Sequence, residues 1–366
     1  MQNSDASPQR KEAMPKALAV TAQKNSLKIG PHLAVSFKRT LRIPDDGKRY
    51  PLPPSLGDFP ICRIEDYRSA VPESWKTHGG VFLPMWQREA MWLSFAGAGF
   101  RPYALKVAVG KVCAISGNPW NEQLHAPSER NETQDYVVVP GQRWLDGINV
   151  GSGVIRQFVA MPLGMGYTVE GQVTGEERFG GIQLMAFDSK KGVFPTKPPV
   201  MRSATTRRRR SMGSKAAGEF EMEFAGASLR GVEMGLAAGG QMEQNIVADR
   251  YGVDTWDLTR NGRVFVHIVN SQMYQDITGR KPPQTPIDAG TYSQHGLPWF
   301  ETYDESDVPG SSILYAVKPV QAVDAEHGFT GQQDDSTVLL SDQQVHKVSP
   351  GRWPKPSQHS VSDGEW

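Results

Sequence analysis

Residues 103–115 read Tyr103-Ala104-Leu105-Lys106-Val107-Ala108-Val109-Gly110-Lys111-Val112-Cys113-Ala114-Ile115, and this stretch decides the fold. Side chains alternate across an extended chain with period two, so Tyr103, Leu105, Val107 and Val109 share one face. Gly110 closes the run and a second apolar run starts at once, which marks neighbouring strands. Working outward, Asp135-Tyr136-Val137-Val138-Val139-Pro140 is a β-branched run bounded by proline, the pattern of a strand covered on both faces. Residues 154–161, 167–173 and 181–187 read as further strands separated by turn residues, and Leu33, Val35, Phe37, Leu41 and Ile43 alternate upstream. Arg263–Asn270 and Ile313–Val317 are later strands. Short strands at this spacing predict a mainly β protein with a β-sandwich or barrel-like core, few short helices and disordered termini.

The organisation follows composition. Residues 1–28 form a polar, flexible arm, and 29–189 a β-rich first half. Residues 190–218 form an exposed Pro/Ser/Arg-rich connection carrying the basic block Arg207, Arg208, Arg209 and Arg210, which reads as a solvated loop or a polyanion-binding or import signal. Residues 219–322 make a mixed second half packed on the first, and 323–366 a polar flexible tail. Within the second half, Thr285-Pro286-Ile287-Asp288 carries the cap and proline of a helix start. The segment 231–240 is rich in small residues and must let backbone approach closely.

The 366 residues hold 40 Lys+Arg against 39 Asp+Glu, a balance that argues against nucleic acid or an anionic membrane as the main partner. No uninterrupted apolar run reaches the roughly 18 residues of a membrane span, and the N-terminus lacks the apolar stretch of a secretory signal, so a cytoplasmic location is expected. The two cysteines, Cys62 and Cys113, are too few for a metal cage or a disulfide framework and read as reduced thiols. Without an export signal, the sequon Asn131-Glu132-Thr133 reads as a polar loop.

Catalytic signatures are absent: there is no Walker phosphate loop, no G-x-S-x-G and no H-E-x-x-H. The eight histidines show no metal-ligand spacing, so neither metal nor cofactor is expected. His267, between Val266 and Ile268, reads as a hydrogen-bonded structural histidine. Chemistry concentrates instead at turns, where aromatic, arginine and acidic residues meet: Trp86, Arg88 and Glu89; Trp144 and Asp146; Arg156; His295 and Trp299. Aromatic faces beside fixed hydrogen-bonding groups suit a glycan, peptide or protein surface. These residues predict a non-enzymatic binding or assembly protein, with a homo-oligomer arising if an edge strand such as 154–161 pairs between copies. The alternative is a hydrolase whose Asp146, Glu170, Asp257 and His295 meet only on folding.

Six strings extend the reading: 41–60, 84–95, 135–148, 155–184, 264–287 and 291–300. LRIPDDGKRYPLPPSLGDFP, PMWQREAMWLSF, DYVVVPGQRWLDGI and IRQFVAMPLGMGYTVEGQVTGEERFGGIQL are the first four. Together with the two later strings they resemble a family of uncharacterised β-rich proteins of bacteria and fungi. The resemblance spans Leu33 to Ala322 and implies one ancestral unit rather than two shuffled modules. It brings no activity, cofactor or catalytic residue with it.

Overall fold

The computed structural model describes residues 17–127, 133–151, 153–198, 233–284, 299–301, 308–329, 345–347 and 359–366. It is mainly β, with 42% strand and 14% helix. The principal strands are β1 (Val20–Gln23), β2 (Ser26–Ile29), β3 (Leu33–Thr40), β4 (Val81–Met85), β5 (Ala90–Gly97), β6 (Tyr103–Val109) and β7 (Val137–Val139). They continue with β8 (Gly147–Gly151), β9 (Val154–Pro162), β10 (Ile182–Ser189), β11 (Glu233–Glu243), β12 (Trp256–Asn270) and β13 (His359–Ser360). Five short helices accompany them: α1 (Glu73–His78), α2 (Val169–Thr174), α3 (Ser271–Thr278), α4 (Ser312–Tyr315) and α5 (Val320–Glu326).

One antiparallel path, β1–β2–β3–β5–β9–β11–β12–β10–β6–β7, carries most of the sheet. β4 lies parallel to β12, and β8 pairs with β9. The sheet curls back on itself, since the Leu18 amide donates to the Asn261 carbonyl at 2.7 Å and joins the start of β1 to β12. The two strands that follow residues 190–218, β11 and β12, sit side by side between strands that precede them, β9 beside β11 and β10 beside β12.

Alternation explains the packing. Leu105 and Val107 of β6, Leu184 of β10 and Val264 and Val266 of β12 point inward to one core, with Leu27, Val35, Phe37 and Ile155. The opposite face is apolar too, and three smaller clusters cover it. Helices α1 and α3 cover Phe82 with Trp75 and Tyr274. Helix α5 brings Val320 and Val323 onto Val159 and Met161. Leu124 and Trp120 lie over Ala104, Met185 and Phe187. Burial on both faces is why β10 is buried along its whole length.

Four expectations are corrected. Residues 17–28 are not part of a flexible arm: Val20 and Leu27 are buried, because β1 and β2 form a hairpin over the core. Residues 167–173 and 313–317 are not strands. Thr168 accepts a bond from the Gly171 amide and starts α2, and Ser311 does the same for the Leu314 amide at α4, so cap chemistry overrides a short apolar alternation. The strand at 154–161 is not an edge, because β9 is flanked by β11 on one side and by β5 and β8 on the other. The stretch from 323 is not loose throughout, since α5 extends to Glu326 and residues 359–366 are docked on the sheet. Arg207–Arg210, the helix start at Thr285-Pro286, Asn131 and His295 lie outside the described residues.

Gly80 shows how close the backbones run. It holds φ +89°, and an added Cβ would stand 2.0 Å from the Phe265 carbonyl oxygen of β12. Gly80→Ala therefore has to push β4 away from β12, and we expect a loss of about 3 kcal/mol, the upper part of the range for an overpacked site. Urea unfolding should show a lowered midpoint at unchanged slope; an unchanged midpoint would mean that the two strands are not held at this distance.

Candidate functional site

The turn between β4 and β5 gathers three of the residues singled out by sequence, and each of them grips another part of the chain. The Glu89 carboxylate is buried and accepts from Arg39 Nε at 2.7 Å and from the Trp86 amide at 2.9 Å. The Trp86 indole donates to the Pro283 carbonyl at 2.8 Å, and Arg39 donates to the carbonyl of Gln284. Arg88, held at φ 67°, makes a two-pronged pair with Asp324 at 2.9 and 2.6 Å, which Tyr167 joins through its hydroxyl at 2.7 Å. Burial pushes the Asp324 carboxyl up, but the Arg88 and Tyr167 bonds more than offset it and hold the carboxyl below its ordinary value. Arg156 donates to the Val317 carbonyl, and Asp45 accepts from the Gln321 amide at 3.1 Å. These groups clip residues 283–284 and 317–324 onto the sheet.

The remaining candidates are scattered. Trp144 meets Trp92 edge-on at 6.5 Å, and Trp299 is fully buried beside Tyr50. Glu170 lies on α2, where its carboxylate accepts from the amides of Arg178, Phe179 and Gly180 at 2.8–2.9 Å. Asp257 accepts from the amide and hydroxyl of Thr259. Asp146 is buried and accepts from Gln244 Nε2 at 2.7 Å, while its own amide donates back to Gln244 Oε1 at 3.0 Å. Asp146, Glu170 and Asp257 keep separate partners: Gln244 for the first, the amides of residues 178–180 for the second and Thr259 for the third.

A second group, which the sequence reading missed, lies on the outer face of β6, β10 and β12. Register places Lys106, Met185 and Arg263 in one row across these strands, and Ala108, Gln183 and Phe265 in the next. Lys106 is almost wholly buried. Its Nζ donates to Asn121 Oδ1 at 3.0 Å, to Asp135 Oδ2 at 2.9 Å and to the Gln123 carbonyl. His125 Nδ1 meets the same Asp135 oxygen at 2.7 Å. A buried ammonium needs such a set of acceptors, and this one pins residues 120–125 so that the Trp120 ring stands 5.6 Å from Lys106 Nζ. On the other side His78 stacks on Phe265 at 4.8 Å, and His267 stacks between Phe265 and Trp75 at 4.3 and 4.5 Å. His267 Nε2 donates to the Gly79 carbonyl at 3.1 Å, the structural role its sequence position suggested.

Residues 360–366 lie across this platform. The Gly364 and Glu365 amides donate to the carbonyls of His78 and Thr77 at 3.0 and 2.9 Å. Those are carbonyls of the last turn of α1, which a helix cannot satisfy internally. Ser362 bonds through its carbonyl to the Gly80 amide at 3.0 Å and through its amide to Glu65 at 2.7 Å. Arg263 Nε reaches Asp363 at 2.8 Å, and the Trp366 ring packs on Trp120 at 5.4 Å, on Phe265 at 5.7 Å and over the Arg263 guanidinium at 5.1 Å. Strand pairing of β13 with β1 anchors the start of the segment. The sequence signal for the platform was the second face of β12, where Arg263, Phe265 and His267 alternate with the core residues.

Comparison of the chain with family models, with curated proteins and with solved structures finds no match. Among the described residues no His/Cys/Asp/Glu group suits a metal ion, and no helix is long and apolar enough to cross a membrane. Cys62 and Cys113 are free and buried.

Two buried groups give stability opposite dependences on pH. Burial pushes the Asp146 carboxyl from 3.8 up to about 7, against a smaller opposing effect of the Gln244 bond. Burial pulls His267 from 6.5 down to about 3, opposed by its bond to the Gly79 carbonyl. Between about pH 4 and pH 6.5 the folded chain holds a proton on Asp146 that the unfolded chain lacks, so this term falls as pH rises. The unfolded chain holds a proton on His267 that the folded chain lacks, so that term rises with pH. Each changes by about 1.4 kcal/mol per pH unit, and they cancel. Relative to wild type, the stability of Asp146→Asn should therefore rise with pH across this window and that of His267→Gln should fall. Denaturant titrations at several pH values read both slopes; difference curves that stay flat would refute the assignment.

Proposed function

We propose that this protein is a non-enzymatic, β-rich binding or assembly protein that recognises polypeptide through the outer face of β6, β10 and β12. One observation carries the reading: that face already holds a peptide, residues 360–366, by main-chain bonds at Gly80, His78 and Thr77, an Arg263–Asp363 pair and an aromatic seat for Trp366. Main-chain bonds supply affinity to any extended peptide, and side-chain contacts choose the sequence. Here the choice falls on an acidic residue followed at the third position by a large aromatic one. The platform is built to be rigid, with Lys106 fixing the Trp120 side and the ring stack of Trp75, His267 and Phe265 fixing the other.

Peptide is favoured over glycan because the contacts made on this face go to amides, carbonyls, a carboxylate and an indole. The hydrolase alternative draws no support from the geometry, since Glu170 is occupied by three backbone amides and Asp146 by Gln244. The turn residues Trp86, Arg88 and Glu89 act in the same reading as clips that close the chain's own excursions over the sheet.

Paired arrays test it. Labelled full-length protein should bind peptides carrying Asp-Gly-x-Trp and leave a glycan array dark, and Arg263→Ala should weaken the peptide signal by no more than about fivefold, the worth of a half-exposed charge pair of up to about 1 kcal/mol. Glycan binding that survives Arg263→Ala, or silence on both arrays, would overturn the proposal.

A further inference from the structure

We infer that residues 360–366 are a tethered competitor for the platform, so that an external partner must displace them, and that this partner presents an Asp-Gly-x-aromatic segment of its own. The inference rests on the peptide-recognition reading above and adds the sequence chemistry of the partner and its regulation.

Three positions of the docked segment define the chemistry. Asp363 faces Arg263, whose Nε lies 3.0 and 2.8 Å from its two carboxylate oxygens. Gly364 passes so close to the end of α1 that an added Cβ would stand 2.2 Å from the Thr77 carbonyl oxygen and 2.4 Å from that of His78. No side chain fits there, and both oxygens are backbone. Trp366 fills the seat between Trp120 and Phe265, and its indole N–H returns to Asp363 at 2.9 Å. Asp363 shares the Arg263 guanidinium with Glu122, and Lys111 stands over Phe179. The seat thus reads an acidic residue, then glycine, then any residue, then a large aromatic.

The contacts themselves are of the displaceable kind. Ser360, Ser362, Asp363 and Glu365 are exposed and Trp366 only half-buried, and Val361 alone packs against the central core. The Arg263–Asp363 pair stands partly in water, with side chains 24% and 43% exposed, and pairs of that kind contribute little. Proximity supplies the rest. Belonging to the same chain gives an effective concentration in about the millimolar range, so a segment whose intrinsic Kd lies about tenfold below that concentration is seated about ten times more often than not. An external peptide then meets a surface that is open about a tenth of the time, and its apparent affinity falls about tenfold.

The probe is the synthetic peptide Ser-Val-Ser-Asp-Gly-Glu-Trp, residues 360–366, fluorescently labelled and followed by anisotropy. It is titrated against the full chain and against the full chain carrying Asp363→Asn and Trp366→Ala, with circular dichroism confirming that the variant keeps its strand content. The variant should bind about tenfold more tightly than the wild type, and Gly364→Ala in the full chain should unmask the surface in the same way. The same peptide with alanine in place of its glycine should bind neither protein. Equal affinity for wild type and both variants would overturn the masking while leaving peptide recognition standing. Failure of the folded variants to bind would overturn recognition itself. A dimer in light scattering that dissociates in the Asp363→Asn/Trp366→Ala chain would also overturn the inference, because the segment would then be exchanged between copies rather than held within one.

Discussion

The sheet is apolar on both faces, and only one of them can turn to the central core. Leu105 and Val107 point inward, while Ala104, Met185 and Phe187 on the same and neighbouring strands point outward. Leaving such a surface in water would forfeit about 25 cal/mol for each Å² of apolar area. The segments between strands therefore lie back over the sheet: α1 and α3 in one place, α5 in another, residues 120–124 in a third. Each covering segment is polar on its outer side and short, so apolar contact alone does not hold it. Specific polar pins do: Lys106 for residues 121–123, Arg88 and Tyr167 for α5 through Asp324, Trp86 for residue 283.

These pins have a physical signature. A charge taken out of water must be matched on every side, or its desolvation is left uncompensated. Lys106 meets three acceptors, Glu170 meets three backbone amides, and Asp324 meets Arg88 and Tyr167. Each saturated group orders its surroundings and is thereby withdrawn from chemistry. Groups at turns can look like a site in sequence and act as fasteners in structure. The outer face of β12 differs, because its Arg263 and Phe265 meet the side chains of Asp363 and Trp366 in a segment whose backbone bonds to Thr77, His78 and Gly80.

Much of the fold was legible because period-two patterning reports sidedness directly. Residues 103–109 and 181–187 were readable for that reason, and the unbroken apolar run 136–139 announced burial on two faces. Short helices were misread where an alternating apolar pattern coincided with a cap: Thr168 and Ser311 each accept from an amide three residues on, and that local bond decides the conformation. The first hairpin was missed because Val20, Ala22, Leu27 and Ile29 sit among polar residues. Of the candidate site, the turn at 86–89 was found, but its role was not, since its partners lie 50 to 236 residues away in sequence. The docking of residues 360–366 left almost no trace in the pattern. It depends on main-chain bonds and on the absence of a side chain at Gly364, neither of which hydrophobicity reports.

Hydrogen–deuterium exchange on the full chain tests most directly whether the outer face is a peptide-binding platform occupied by the protein's own segment. The account predicts slowed exchange at the amides of Gly80, Val361, Gly364 and Glu365, all of which donate to backbone oxygens across the contact. Exchange of residues 361–365 at the rate of an unstructured peptide, with Gly80 equally unprotected, would contradict it.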